Sequence, residues 1–396
     1  MPGFAAYRPL LADPGFRDQA LAGCFAQLSQ GGSVLAIILL IQQARGSLGL
    51  AGFATAGFVV GAAIARPIQG RLIDTHGPRN VLLLTAVAHT ASLVALVPVA
   101  RSDLLGVAVV AMSLVAGLGL PPVSQTQRLV WADVAGEDRT TVYSVIGMLQ
   151  EGSILAGPLL VGVLAGAASP SAALIVVAII SGAGLVWLGL SVPGASGASP
   201  EDQGASPLRE RGVRLVLLLE LLFGIALGGI EIGVPALATS EGHPSAAGFL
   251  LAVTSVGGIA GALVYGGRRW PSTPRTRLVV LLALSAVGFA ALVPVESLVL
   301  AGAILLVLGT VLSPVLTTLI LLLDLASPSF LAEAFGWSST SSAIGTGAGA
   351  ALTGALAQHH GASPAFIAAV AGCGLAVLVA AAAGGLPRTG QLASPG

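Results

Sequence analysis

Charge is scarce in this chain, and one charged residue type is missing altogether. Only 9% of the 396 residues are charged, whereas 55% are hydrophobic. All 17 basic residues are arginines, because the sequence contains no lysine. Soluble domains carry about 25% charged residues, so this composition excludes a water-soluble domain and predicts an integral membrane protein. A formal net charge of zero also argues against nucleic acid as a partner.

Other absences narrow the function further. The two cysteines, Cys24 and Cys373, lie in apolar runs and are not expected to form a disulfide or a metal site. Without lysine the chain cannot have the phosphate-binding loop that ends in Gly-Lys-Ser/Thr, so it does not hydrolyse ATP by itself. No zinc-binding helix motif or nucleophile elbow occurs. We expect no enzymatic activity, no cofactor and no bound metal.

Long apolar runs are what the chain has in abundance. A helix needs about 20 apolar residues to cross a bilayer, and the runs show none of the alternation of a transmembrane barrel. The sequence predicts an all-α integral membrane protein with twelve transmembrane helices. These predicted spans are 19–41, 50–70, 79–99, 104–125, 141–164, 170–191, 213–234, 245–266, 277–295, 298–321, 333–356 and 364–386.

The arginines fix the orientation of these spans. If both termini are cytoplasmic, 15 of the 17 arginines fall on the inner side, and only Arg45 and Arg101 fall on the outer side. An excess of basic residues in cytoplasmic segments is the rule for membrane proteins. The sequence therefore predicts a multi-pass protein of the plasma (inner) membrane with cytoplasmic N- and C-termini.

The chain divides into two six-helix halves that resemble each other. The segment Ala51-Gly52-Phe53 recurs 196 residues later as Ala247-Gly248-Phe249, which pairs the second span with the eighth, as in parallel internal repeats. A polar stretch rich in Gly, Pro and Ser separates the halves and predicts a flexible linker. The predicted segments are a cytoplasmic N-terminal segment 1–18, a first half 19–191, a linker 192–212, a second half 213–386 and a cytoplasmic tail 387–396.

A short charged loop, the signature loop, lies between the second and third spans and reads GRLIDTHGPR over residues 70–79. It resembles the pattern Gly-x-x-x-Asp-(Arg/Lys)-x-Gly-(Arg/Lys)-(Arg/Lys) of the major facilitator superfamily of transporters. Gly70, Asp74, Gly77 and Arg79 match, whereas threonine and proline occupy the two remaining basic positions. The architecture of the whole chain is similar to this family, although only this loop is specific in sequence.

The resemblance implies a mechanism for the chain. Members of this family transport small molecules by rocking two halves about a central site, and most work as monomers. In the family, the aspartate of the loop helps to close the cytoplasmic side, which implies a gating role for Asp74 with Gly70, Gly77 and Arg79. The alternative is that the arginines of the loop only anchor the topology.

The fifth span holds a second resemblance. Gly152, Gly157 and Pro158 lie in a run that looks like the antiporter motif of exporters in the family. Proline bends a helix and small residues allow close helix packing. A generic packing helix remains an equal interpretation.

Polar side chains within the spans are the candidate substrate and proton sites. Glu151 lies about 15 Å into the fifth span, where a carboxylate is costly and usually functional. Gln27 and Gln30 share one face of the first span. For all three, hydrogen bonding between helices is the alternative to handling of protons or substrate.

The seventh span holds two more acids, Glu220 and Glu231. They are three helical turns apart, so they lie on one face, and in the family this helix lines the central cavity. They are candidate relay stations for protons. Each of them could instead be solvated at an interface or paired with a nearby arginine.

We expect a secondary active transporter that exports a small neutral or cationic, moderately apolar compound in exchange for protons. The expected partners are this substrate, protons and the lipid bilayer. The preference against anions rests on the absence of basic residues deep in the predicted cavity helices. One alternative is a permease that takes up a sugar or other metabolite with protons. Another is a sensor or interaction protein that no longer transports.

Overall fold

The computed structural model of the chain describes residues 6–102, 104–135, 139–192, 194, 206–243, 246–327, 330–360 and 362–382. Within these ranges the regular secondary structure is helical, without a β-strand. The predicted all-α fold is confirmed.

Fourteen α-helices lie in the described ranges. The first eight are α1 (Arg8–Ala12), α2 (Pro14–Arg45), α3 (Leu48–His76), α4 (Pro78–Arg101), α5 (Gly106–Leu118), α6 (Val123–Ala135), α7 (Arg139–Ala167) and α8 (Pro170–Ser191). A 3₁₀ turn, Pro207–Arg209, precedes the other six. These are α9 (Arg211–Ser240), α10 (Ala246–Gly266), α11 (Pro274–Leu292), α12 (Leu298–Ala326), α13 (Leu331–His360) and α14 (Ser363–Ala382).

Eleven segments of the described chain are long and apolar enough to cross a membrane. They correspond to eleven of the twelve predicted spans, and one of them, Gly106–Trp131, consists of α5 and most of α6. The remaining predicted span, 333–356, coincides with α13. The chain therefore has the helical content of a multi-pass membrane protein.

The fourth predicted span, 104–125, is not the continuous helix that the sequence analysis expects. α5 ends at Leu118 and α6 begins at Val123. Pro121 and Pro122 lie in the interruption, and proline breaks a helix because it lacks an N–H and clashes with the preceding turn. α6 then continues well beyond the predicted end of the span.

Several other helices are longer than predicted because they are capped outside the apolar run. α2 begins at Pro14 rather than 19, since the Asp13 side chain accepts a hydrogen bond of 2.8 Å from the Gly15 N–H. Ser47 caps α3 in the same way through the Leu50 N–H. Such caps satisfy backbone donors that have no partner within the helix.

The contacts divide the chain into two compact units. The N-terminal unit takes its described residues from 8–134 and 149–204. The C-terminal unit takes its described residues from 1–7, 135–148 and 205–396. The first part of α7 therefore belongs to the C-terminal unit and the rest of α7 to the N-terminal unit. The predicted halves, which follow sequence order, stay a prediction.

In the N-terminal unit, glycines bring the backbones of α3 and α5 together. A Cβ at Gly61 would overlap the carbonyl oxygen of Leu114, and a Cβ at Gly117 would overlap that of Phe58. Small residues at such crossings allow close packing of membrane helices. This close contact is possible because the residue at each of the two crossing positions is a glycine, which has no side chain.

The C-terminal unit repeats this contact between α10 and α12. A Cβ at Gly257 would overlap the carbonyl oxygen of Leu306, and a Cβ at Gly309 would overlap that of Thr254. Gly257 follows Gly61 by 196 residues, the spacing of the predicted repeat. The two units therefore contain the same backbone contact at equivalent positions, as parallel repeats require.

We predict that Gly61→Ala destabilises the protein whereas Gly52→Ala on the same helix does not. The alanine at position 61 meets a backbone oxygen, and overpacking costs about 1–3 kcal/mol. No atom lies within 4 Å of a Cβ at Gly52, where alanine instead improves helix propensity. Melting of the detergent-solubilised protein, followed by tryptophan fluorescence, measures the difference. Equal melting temperatures for the two variants would contradict the contact.

Candidate functional site

The signature loop contains one residue outside either helix, Gly77. Its φ of 82° is a conformation that favours glycine, and its N–H donates to the carbonyl oxygen of Ile73. Asp74 is half-buried in the last turn of α3, and Gly70 is buried one turn earlier. The negative end of a helix dipole disfavours a carboxylate, so the end of α3 opposes the charge of Asp74. Arg79 is exposed in the first turn of α4.

The three residues of α7 that resemble the antiporter motif differ from one another in their surroundings. A Cβ at Gly157 would lie 2.6 Å from the Gly32 nitrogen and 2.8 Å from the Gly31 carbonyl carbon. Gly157 thus brings α7 against the backbone of α2. Gly152 has no atom within 4 Å of such a Cβ, and Pro158 lies inside α7.

The two glutamines of the first span also differ. Gln27 is buried, and its Nε2 donates to Oε1 of Gln127 on α6 at 3.1 Å. The Ser153 hydroxyl on α7 donates to the backbone oxygen of Gln27. Gln30 is half-buried. Gln27 therefore joins three helices of the N-terminal unit.

The break between α5 and α6 is held by two side chains of α3. Nη1 of Arg66 donates to the carbonyl oxygen of Pro121 at 3.1 Å, and Nε2 of Gln69 donates to that of Leu118 at 3.0 Å. Arg66 is only 8% exposed. The sequence analysis counts Arg66 only as an inner-side arginine. Its burial follows from the break, because its guanidinium bonds a carbonyl oxygen that the break leaves free.

The first turn of α6 is polar and buried, with exposures of 4% or less. Several of its side-chain atoms have no hydrogen-bond partner among the described residues. These atoms are Ser124 Oγ, both amide atoms of Gln125, Thr126 Oγ1 and Gln127 Nε2. Gln27 Oε1 is likewise without a partner. Sequence analysis missed this cluster, although the proline pair and the four polar residues after Val123 were its signal.

Glu151 lies near the middle of α7 and is half-buried. Its neighbour Gln150 accepts a hydrogen bond of 3.2 Å at Oε1 from Nη2 of Arg128 on α6. Arg128 lies within the Gly106–Trp131 segment, so it is not the loop residue that the predicted span would make it. Glu151, in the middle of α7, therefore follows directly after the residue that Arg128 contacts.

The two acids of α9 do not share an environment. Glu220 is 3% exposed, and its Oε1 accepts a hydrogen bond of 2.7 Å from Ser338 on α13. Glu231 is exposed on the described surface. Glu220 is thus buried and Glu231 exposed, three turns apart on one helix, and their role as relay stations for protons stays a prediction.

One ion pair in the C-terminal unit was missed by sequence analysis. Nη1 of Arg139 lies 2.5 Å from Oδ2 of Asp324, whose side chain is 2% exposed. Asp324 is in the last turn of α12, where its own helix dipole disfavours the charge. The pair joins the start of α7 to the end of α12. The only signal in the sequence was an acid just past the predicted tenth span.

Further contacts join the start of α7 and the N-terminal segment to the end of α10. The Thr141 hydroxyl donates to the Gly266 carbonyl oxygen at 2.6 Å. The Tyr7 hydroxyl donates to the Leu263 carbonyl oxygen at 2.8 Å. Burial raises the pKa of Tyr7 to about 12, so the hydroxyl remains a donor at physiological pH. Tyr7, Thr141 and Gly266 thus belong to one packed region of the C-terminal unit.

The buried His89 has a partner at each ring nitrogen. Nδ1 lies 2.9 Å from the carbonyl oxygen of Ala116, and Nε2 lies 2.5 Å from Oγ of Ser29. A carbonyl can only accept, so Nδ1 carries a proton and donates to Ala116. The two contacts give both ring nitrogens of His89 a hydrogen-bond partner.

The comparisons with known proteins agree with this architecture. The family model of the Major Facilitator Superfamily matches residues 20–329, which is more than half of the chain. The chain belongs to the Major Facilitator Superfamily and is a membrane transport protein by family. No curated protein sequence matches it.

Solved structures of transporters share its fold at low sequence identity. The human organic anion transporter MFSD10 (TETRAN) is 18% identical, with a TM-score of 0.72 over 93% of this chain and 100% of that chain. A bacterial homologue of the iron transporter ferroportin, in its outward-facing state, is 15% identical, with a TM-score of 0.73 over 92% and 98%. The Major Facilitator Superfamily transporter FucP, in the outward conformation, is 15% identical, with a TM-score of 0.66 over 92% of this chain and 98% of that chain. These likenesses show the fold alone.

We predict that Arg139→Gln destabilises the protein by about 1–3 kcal/mol, because it leaves the buried carboxylate of Asp324 without its cation. Breaking a fully buried pair costs about 3–5 kcal/mol, and the partial exposure of Arg139 reduces this cost. Adding Asp324→Asn to Arg139→Gln should restore part of the loss. The exposed Arg211→Gln is the control. Additive effects of the two substitutions on the melting temperature would contradict the pairing.

Proposed function

We propose that this chain is a proton-coupled exporter of a small, moderately apolar organic compound. It works by alternating access, and the proton gradient drives the compound out of the cell. Membership of the superfamily supports secondary transport, since the proteins of this fold carry small molecules through the membrane. We place it in the plasma membrane as a monomer with cytoplasmic termini.

Glu151 is the observation that supports proton coupling. It is half-buried near the middle of α7, where an ionisable side chain is costly unless it functions or is paired. Protonation from outside would neutralise Glu151 and release the compound. Deprotonation inside would restore the binding state. Glu220 and Glu231 are the second candidates for the proton route, and Gln27 and Gln30 for contact with the compound.

The signature loop supplies the gate in this proposal. Asp74 closes the cytoplasmic side with Gly70, Gly77 and Arg79, as the family resemblance implies. Gly152, Gly157 and Pro158 shape the helix that carries Glu151. The close approach of Gly157 to α2 supports a packing role for that residue.

Two arginines bear on the expected charge of the compound. The preference for a neutral or cationic compound rests on the absence of basic residues deep in the predicted cavity helices. Arg66 is buried in α3, and Arg128 lies within the fourth membrane segment, near its end. These two arginines are an argument for an anionic compound, and the preference for a neutral or cationic one stays a prediction.

We predict that a pump-deficient bacterial host expressing the chain accumulates less of at least one compound from a panel of fluorescent dyes and antibiotics. A protonophore should abolish the difference. Glu151→Gln should abolish it too, because an amide cannot carry the proton. Glu296→Gln, at an exposed position outside the helices, is the control and should export normally.

Other outcomes select the rival functions. Higher accumulation of one metabolite, with protons entering in the same direction, would identify an uptake permease. No change for any compound, with the protein present in the membrane, would favour a non-transporting sensor. Normal protonophore-sensitive export by Glu151→Gln would contradict the role of that residue.

A further inference from the structure

The first turn of α6 lies within the fourth membrane segment and presents N–H groups that have no partner within the helix. The N–H groups of Val123, Ser124 and Gln125 precede the first bond of this helix, which runs from the Thr126 N–H to the Pro122 oxygen at 3.0 Å. A helix begins with its positive dipole end. Water that would normally bind such groups is absent from a bilayer core. Half-helices that begin inside a membrane direct these groups at anionic substrates in other transporters.

The side chains of the same turn point independently to an occupant. Gln125 is 1% exposed, and neither of its amide atoms has a hydrogen-bond partner among the described residues. A glutamine three residues into a helix often bonds the N–H of the capping residue, but Pro122 has none. A buried polar group without a partner costs about 1–3 kcal/mol. The cluster is therefore costly unless something binds to it.

Gln127 and Gln27 add to the cluster from two helices. They bond each other through one amide atom each, and Nε2 of Gln127 and Oε1 of Gln27 have no partner in the described part of the chain. Ser124 Oγ and Thr126 Oγ1 likewise have no hydrogen-bond partner among the described residues. The cluster therefore offers N–H and O–H donors to a ligand, and its free amide oxygens can accept a hydrogen bond from another polar group of the same ligand.

The charges around the break have the sign that attracts an anion. The guanidinium of Arg66 bonds the Pro121 oxygen, two residues before α6 begins. Arg128 lies on α6 itself, five residues after Val123, and its Nη2 donates to Gln150 Oε1. Two arginines and the positive end of a helix thus lie in one region of the N-terminal unit. An anion there would interact favourably with all three.

We propose that the first turn of α6, with Arg66 and Gln27, binds the carboxylate of a small organic compound. The backbone N–H groups, Gln125 and Arg66 bind its two oxygens, as charge-assisted hydrogen bonds are the strong ones. Gln27 accepts a hydrogen bond from a neutral polar group on the same compound. A singly charged carboxylate fits better than a phosphate, because the desolvation penalty rises with charge.

If the bound compound is the one that the chain exports, this site gives the substrate class of the proposed exporter. To that extent the inference rests on the proposed function. Binding itself requires neither a gradient nor transport. The purified protein can therefore be tested alone.

The test compares benzoate with benzamide, its neutral counterpart of nearly the same shape. We expect benzoate to raise the melting temperature of the detergent-purified protein and to bind at least about tenfold more tightly than benzamide, because charged hydrogen bonds exceed neutral ones. Gln125→Leu should abolish the benzoate shift. It should leave the protein without ligand as stable as before or more stable, since it removes two unpartnered buried atoms.

Gln19→Leu is the matched control for this substitution. Nε2 of Gln19 donates to the Ser191 oxygen at 2.9 Å, and its Oε1 accepts from Trp131 at 2.7 Å. Leucine there removes satisfied bonds, so the melting temperature should fall while the benzoate shift persists. This contrast separates a ligand-binding glutamine from a structural one.

Three results would overturn the proposal. They are no shift with benzoate, equal shifts with benzoate and benzamide, and a full benzoate shift in Gln125→Leu. Proton-coupled export fails separately, if no compound in the cellular panel shows a protonophore-sensitive difference. Benzoate binding in a chain that exports nothing would support the site and contradict the proposed transport.

Discussion

The membrane-spanning helices of this protein have to satisfy their backbone polar groups without water, and this requirement is hardest to meet at the break between α5 and α6. Continuous helices meet it internally. At the break, α5 leaves carbonyl groups free and α6 leaves N–H groups free. Arg66 and Gln69 bond two of the carbonyl oxygens. By contrast, several side-chain atoms in the first turn of α6 have no hydrogen-bond partner among the described residues. The N-terminal unit therefore contains a cluster of buried polar groups that can bind a ligand.

Close backbone packing holds the helices around that break. Because lipid is as apolar as a leucine side chain, the association of membrane helices depends on van der Waals contact between small residues. Gly61 and Gly117 bring α3 to α5, which also brings Arg66 and Gln69 of α3 to the break. The C-terminal unit uses Gly257 and Gly309 for the same purpose. There the neighbouring helix is continuous through Pro314, so the polar break is a feature of one copy only.

Much of this fold could be predicted because the length of an apolar run and a short loop motif are properties of local sequence. Eleven of the twelve predicted spans followed from the apolar runs, and the family followed from the signature loop. The break at Pro121 and Pro122 was visible in the sequence but was overlooked within an apolar run. Arg66 and Asp324 could not be placed, because their burial depends on carbonyl groups and an arginine distant in sequence. Glu151 was found by its position alone, and its role remains a proposal.

The most direct test of proton-coupled export uses the purified protein in liposomes that contain a pH-sensitive dye. A compound identified in the cellular panel is placed on one side of the membrane, with no proton gradient at the start. The account predicts that the compound moves down its gradient while protons move in the opposite direction, and that Glu151→Gln uncouples the two. Movement of the compound without any proton flux, or with protons in the same direction, would contradict it.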